Sequence, residues 1–155
     1  MYVPNIGGDG VVVNPDGSIT LRYPGKGTVS VIKDGHVSAT IAVGTNPMTP
    51  VLAPDGTLYV PNNLDNTVSV IRNGRVTTTI TVGKYPTTPA LAPDGTLYVP
   101  NFGDSTVSVI KDGHITTTIT VGNNPGAAAL APDGTLYVTN YGDSTVSVIK
   151  DGHIT

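Results

Sequence analysis

The sequence predicts an all-β fold of repeated four-stranded sheets, and three observations carry that prediction. Pro-Asp-Gly recurs at Pro15, Pro54, Pro93 and Pro132, a constant spacing of 39 residues. Each period carries two hairpin signals between β-branched runs, Asp-Gly throughout except for Asn73-Gly74. No segment shows a 3.6-residue apolar period, and 19 glycines and 13 prolines would interrupt helices. Four antiparallel strands in about 40 residues, repeated without helices, is the pattern of a β-propeller blade. A parallel β-helix is the weaker alternative, because its coils are shorter and need no pair of hairpins per repeat.

The third repeat shows each element in turn. Thr88-Pro89-Ala90-Leu91-Ala92 is a short apolar first strand, and Pro93-Asp94-Gly95 supplies the positive φ of a tight turn. Thr96-Leu97-Tyr98-Val99-Pro100-Asn101 is a β-branched and aromatic second strand. After the loop Phe102-Gly103-Asp104-Ser105, Val107 and Val109 alternate with Ser108 in a third strand with two distinct faces, Thr106 to Lys111. Asp112-Gly113 turns the chain into a Thr-rich fourth strand, His114 to Val121, in which Ile115, Ile119 and Val121 are expected on one face. In a propeller the first strand lines the channel, which suits Ala127-Ala128-Ala129-Leu130-Ala131, and the fourth is the outer edge. The expectation is one domain, 1–155, with blade repeats at about 11–43, 49–82, 88–121 and 127–155.

Composition narrows the classes. With 155 residues and 38% hydrophobic content the chain can bury the core of one domain. Only 12% of residues are charged, the net charge is −3 and no basic cluster occurs, so a nucleic-acid partner is not expected. The absence of cysteine removes disulfides, thiolate metal sites and thiol nucleophiles. No run of 18 apolar residues suggests membrane insertion, and the N-terminus has neither a basic n-region nor an apolar h-region.

The two ends of the chain are nearly complementary in phase. Four periods of 39 fill 156 positions and the chain has 155. On that register His153-Ile154-Thr155 begins an outermost strand that Tyr2-Val3-Pro4 would finish, hiding an open sheet edge. Closure within one chain gives four blades; closure between two gives an eight-bladed homodimeric ring, which the splay of small sheets favours. A rival register exists, because Tyr2-Val3-Pro4-Asn5 repeats Tyr59-Val60-Pro61-Asn62 letter for letter and so reads as a second-strand motif. Thr106 to Thr116 is identical to Thr145 to Thr155, which points to recent duplication or deliberate construction.

Pro132-Asp133-Gly134-Thr135-Leu136-Tyr137-Val138-Thr139-Asn140 and Gly142-Asp143-Ser144-Thr145-Val146-Ser147-Val148-Ile149 resemble the YVTN-type β-propeller repeat of surface-layer and other secreted bacterial and archaeal proteins. Proline stands at Pro61 and Pro100 where that motif has threonine, and Thr20-Leu21-Arg22-Tyr23 departs further. The resemblance implies a propeller used for binding or display, an extracellular or cell-surface location, and a repeat motif without a catalytic residue.

Candidate chemistry is sparse. His36, His114 and His153 share one repeat position, with Arg75 in the fourth, but lie at the periphery of successive blades and should diverge, so no metal site is expected. Asp16, Asp55, Asp94 and Asp133 precede glycine in the Pro-Asp-Gly turns, where turn geometry selects aspartate. Glutamate is absent, and so are the Gly-x-Ser-x-Gly, Walker and His-Glu-x-x-His motifs. The chain is therefore read as non-enzymatic, without a cofactor.

The loops between second and third strands and between blades should emerge together around the channel mouth. They carry Tyr85, Phe102, Asp104, Asn124, Tyr141 and Asp143, the candidate contacts for a peptide, glycan or small polar ligand. The leading reading is a self-assembling structural or binding scaffold. A fragment of a cell-surface adhesin or surface-layer protein, and a propeller lyase or hydrolase with its site at the channel mouth, are the alternatives.

Overall fold

The computed structural model describes residues 1–5, 11–13, 19–21 and 25–155. It is all-β, as predicted. Blade 2 is β6 (Val51–Leu52), β7 (Leu58–Asn62), β8 (Thr67–Arg72) and β9 (Arg75–Thr81). Blade 3 is β10 (Ala90–Leu91), β11 (Leu97–Asn101), β12 (Thr106–Lys111) and β13 (His114–Thr120). Blade 4 is β14 (Pro125–Leu130), β15 (Leu136–Asn140), β16 (Thr145–Lys150) and β17 (His153–Ile154). Each is a four-stranded antiparallel meander in chain order. The hairpins between third and fourth strands bring both central residues to positive φ, as at Asp112 (52°) and Gly113 (80°), whereas in the Pro-Asp-Gly turns only the glycine is there, as at Gly95 (84°).

Blade 1 departs from the pattern. Its sheet is β1 (Tyr2–Asn5), β4 (Thr28–Lys33) and β5 (His36–Ala42), while β2 (Val11–Val13) and β3 (Ile19–Leu21) pair only with each other. Tyr2 faces Val31 and Asn5 faces Thr28, the register in which Tyr59 faces Val70 and Asn62 faces Thr67. The N-terminal segment thus occupies a second-strand slot. Tyr2, Val3 and Pro4 do not continue the strand begun by His153, Ile154 and Thr155, which lie along β16. The reason is chemical: Asn5 Nδ2 donates to Thr28 Oγ1 (3.2 Å) and Ser30 Oγ (2.9 Å), as Asn62 donates to Thr67 and Ser69. The first Pro-Asp-Gly turn, with Asp16, and Arg22-Tyr23 lie outside the described residues.

Two details correct the strand reading. Ile115 does not share a face with Ile119: a bulge at Val109/Ile110 shifts the register, so Ile115 opposes Ile110 while Ile119 opposes Val107. Ile115 is consequently 42% exposed. The first strand of blade 4 is six residues long, not short like β6 and β10. Thr139 stands where blades 2 and 3 have Pro61 and Pro100, and its Oγ1 accepts the Ala127 N–H at 3.2 Å. A proline there offers no side-chain partner, so in blades 2 and 3 the ladder is interrupted and resumes only as the single bridges Pro47↔Asn62 and Pro86↔Asn101.

The core lies between blades, and it repeats. Val29, Ile41 and Val43 of blade 1 pack on Leu58, Val60 and Ile71 of blade 2. Val68, Val70 and Ile80 of blade 2 pack in the same way on Leu97, Val99 and Ile110 of blade 3. Val107, Val109, Ile119 and Val121 of blade 3 complete the series on Leu136, Val138 and Ile149 of blade 4. Each sheet therefore has an outgoing face built from third- and fourth-strand residues and an incoming face built mainly from its second strand. First strands of neighbouring blades touch through the parallel Thr88↔Ala127 bridge, around the channel, and the Thr-rich fourth strands are mostly exposed.

Candidate functional site

Both loop series rise on one side of the molecule and are bonded to each other. Asn63 N and Leu64 N donate to Asn46 O and Thr45 O; Phe102 N and Gly103 N donate to Tyr85 O and Lys84 O; Tyr141 N and Gly142 N donate to Asn124 O and Asn123 O. An aspartate then caps each blade-to-blade loop. Asp65 Oδ2 accepts from Thr45 N (2.8 Å), Asp104 Oδ2 from Lys84 N (2.8 Å) and Asp143 Oδ2 from Asn123 N (2.6 Å). Bonds also cross between blades, from Asn63 Nδ2 to Pro86 O, from Tyr85 N to Asn66 Oδ1 and from Asn124 Nδ2 to Phe102 O. The loop face is a continuous, preorganised surface.

All six residues singled out from the sequence reach this face, but they divide into two sets. Asp104, Asp143 and Asn124 are committed to the loops. The backbone N–H of Asn123, then its side-chain amide at 2.7 Å, hold the Asp143 carboxyl below its ordinary pKa. Asp104 also lies 4.0 Å from Lys84 Nζ. Tyr85, Phe102 and Tyr141 instead present exposed rings, at 46%, 36% and 72%. Tyr85 has a φ of 55°, a left-handed conformation that asparagine tolerates and that Asn46 and Asn124 adopt at the same repeat position. Glycines seat the rings: a Cβ at Gly103 would lie 2.7 Å from Tyr85 Cδ2, and the Tyr141 ring lies against Gly126.

Beneath the face runs a buried amide ladder that the sequence reading passed over. Asn62, Asn101 and Asn140 each donate from Nδ2 to a threonine and a serine of the third strand at 2.8 to 3.0 Å. Gly44, Gly83 and Gly122 lie against these amides, with no room for a Cβ. The signal was the recurrence of Asn, Thr, Ser and Gly at fixed positions in blades 2 to 4, visible in the repeat itself.

The other titratable groups lie on the far side or at the rim. His36, His114 and His153 open the outer strands and are exposed, with His114 Nδ1 2.9 Å from Asp112 O. Among the described residues no group of three or more metal-ligating side chains converges. The turn aspartates cap their own turns: Asp55, Asp94 and Asp133 accept from the N–H groups of Thr57, Thr96 and Thr135. Lys111, bonded at 2.9 Å, and the Thr96 N–H lower the Asp94 pKa to about 2. A cavity of about 540 Å³ lies between blades 1 and 2 on this side, against Tyr2, Ala39 and Arg72. A counterpart between blades 2 and 3 is about 230 Å³, with Thr78 in place of Ala39, so the cavity is a groove that recurs at blade junctions.

No family model matches this sequence, and no curated protein matches it either. The YVTN-type likeness therefore remains a resemblance. Solved structures do match. Hydrazine synthase of Kuenenia stuttgartiensis is similar at 26% identity and a TM-score of 0.76, over 97% of this chain and 48% of that one. The WD40 β-propeller domain of Doa1 is similar at 17% identity and a TM-score of 0.72, over 80% and 44%. Virginiamycin B lyase from Staphylococcus aureus is similar at 19% identity and a TM-score of 0.71, over 100% and 59%. These likenesses establish the β-propeller fold, and the chain spans about half the length of the structures it matches. They also overturn the expectation that the chain is not an enzyme, since the frame it shares carries a lyase and a synthase. A propeller site draws single side chains from several blades, so missing contiguous motifs and missing glutamate do not exclude chemistry.

Proposed function

We propose that the chain is a propeller module that binds a neutral polar ligand with flat apolar faces, a glycan above all, on the loop face around the channel mouth. The observation that carries this reading is Tyr85. An exposed aromatic residue occupies a left-handed backbone position where two sister blades use asparagine, at a strain of order 1 kcal/mol. What sets this residue apart from its asparagine sisters is the exposed ring it presents. Phe102 and Tyr141 add two further rings on the same face, and stacking on such rings suits the apolar faces of sugars. The aspartates of the face are engaged by loop N–H groups, which leaves the aromatic rings as its free contact groups.

Calorimetric titration with a panel of neutral oligosaccharides tests this. Tyr85→Asn is expected to leave the unfolding free energy unchanged or raised by up to about 1 kcal/mol. It is also expected to weaken binding at least tenfold, as is Phe102→Ala. Affinity unchanged in both variants, or no binding across the panel, would sink the proposal.

A further inference from the structure

The repeated blade-to-blade interface is formed three times within the chain, and its two halves are left uncovered at the ends. Leu58, Leu97 and Leu136, at the head of the second strand, are buried, as are Val60, Val99 and Val138 two residues on. Met1 and Val3 hold those positions in blade 1, where Met1 is 79% exposed and Val3 half-buried, beside a half-buried Ile32 whose counterparts Ile71, Ile110 and Ile149 are buried. Among the described residues no side chain packs there as blade 1 packs on blade 2. At the other end, Val29, Val68 and Val107 are fully buried, whereas the equivalent Val146 is 54% exposed and Val148 half-buried. The incoming face of blade 1 and the third-strand part of the outgoing face of blade 4, Val146 and Val148, are therefore the counterparts of the two sides of one repeated interface.

We infer that a second copy of this chain covers both faces, so that two four-blade units stack head to tail and close an eight-bladed ring. Two observations select a second copy over an unrelated partner. The outgoing face of blade 4 repeats that of blade 3 over an identical stretch of eleven residues, so what fits Val107 and Val109 fits Val146 and Val148. The solved propellers that this chain matches have about twice its length, so one more unit of its size supplies the rest of a ring. The contact runs sheet face to sheet face and leaves β1 paired with β4. A head-to-tail contact that closes after two copies stops there; one that fails to close would grow into filaments.

Light scattering on the 155-residue chain tests the inference. The expected mass is twice 15.9 kDa and constant over a hundredfold range of concentration. Val146→Asp and Val3→Lys place charges in the two halves of the interface, at positions already partly open in the single chain. Each variant alone is expected to run at 15.9 kDa with an unchanged β-sheet circular dichroism spectrum. Mixed one to one, they are expected to restore the double mass, because one junction then pairs Asp with Lys and the other is unaltered. A monomeric parent chain, a mass that climbs with concentration, or variants that remain dimeric alone would each overturn the inference. None of these readouts depends on a ligand, so the test stands apart from that of the loop face.

Discussion

Replacing Gly122 by alanine puts a methyl group where the amide ladder leaves no space. Its Cβ would lie 2.6 Å from Cγ and Nδ2 of Asn140 and 2.8 Å from Asp143 Oδ2. The amide must swing away, breaking its bonds to Thr145 Oγ1 (3.0 Å) and Ser147 Oγ (2.9 Å). Two hydrogen bonds contribute about 1 kcal/mol each, and overpacking a dense site adds about 1–3 kcal/mol. Alanine returns about 0.5–1 kcal/mol by restricting the unfolded chain, so the net loss is about 2–4 kcal/mol. Asn140→Ala alone should cost about 2–3 kcal/mol through the same two bonds. In the double variant the bonds are already gone and the methyl group has room, so the total stays near the cost of Asn140→Ala. Urea unfolding of the four proteins at constant m-value measures the coupling, expected to equal the cost of Gly122→Ala, about 2–4 kcal/mol. Costs that simply add, within about 0.5 kcal/mol, would refute the claim that glycine is required there by the amide.

Two further outcomes are expected. Gly113→Ala should lower stability by about 1–2 kcal/mol in thermal or urea unfolding, because φ is 80° at the second position of its hairpin, whereas Gly25→Ala, whose added Cβ would meet nothing within 4 Å among the described residues, should be near neutral. The Asp94 pKa falls from 3.8 to about 2 in the folded chain, so its contribution to stability is complete above about pH 4 and is lost as the pH drops toward 2. Unfolding midpoints measured from pH 5 to pH 2 should fall less steeply for Asp94→Asn than for the parent, and parallel curves would contradict the assignment.

Blades 2 to 4 were legible because every local signal repeats. Turn glycines, alternating valines and threonine-rich edges agree with one another in each copy, and agreement between levels is what specifies a fold. Blade 1 was not legible by period alone. Periodicity assigns Thr20 to Tyr23 to the slot beside Thr28 to Lys33, whereas the Asn5 amide makes Tyr2–Asn5 the better partner through two hydrogen bonds that a repeat count does not weigh. The face of Ile115 was lost to a bulge, which flips everything beyond it without leaving a mark in composition. At the loop face the rings were readable as exposed aromatics. A loop-capping role for Asp104 and Asp143 was readable too, but not which groups they cap, since those N–H groups lie 20 residues away in the chain.

The position of β1 has a kinetic consequence. In blades 2 and 3 the second strand meets the third across a four-residue loop, and such hairpins close in microseconds. In blade 1 the same pairing spans a connection of about 20 residues, which adds roughly 1.5 kcal/mol of closure entropy. Tyr2–Asn5 therefore docks after the β4–β5 hairpin exists, and the last strand to arrive is the first to leave. Among the hydrogen-bonded amides of blade 1, that of Ile32, which donates to Met1 O, should therefore exchange its hydrogen with water early.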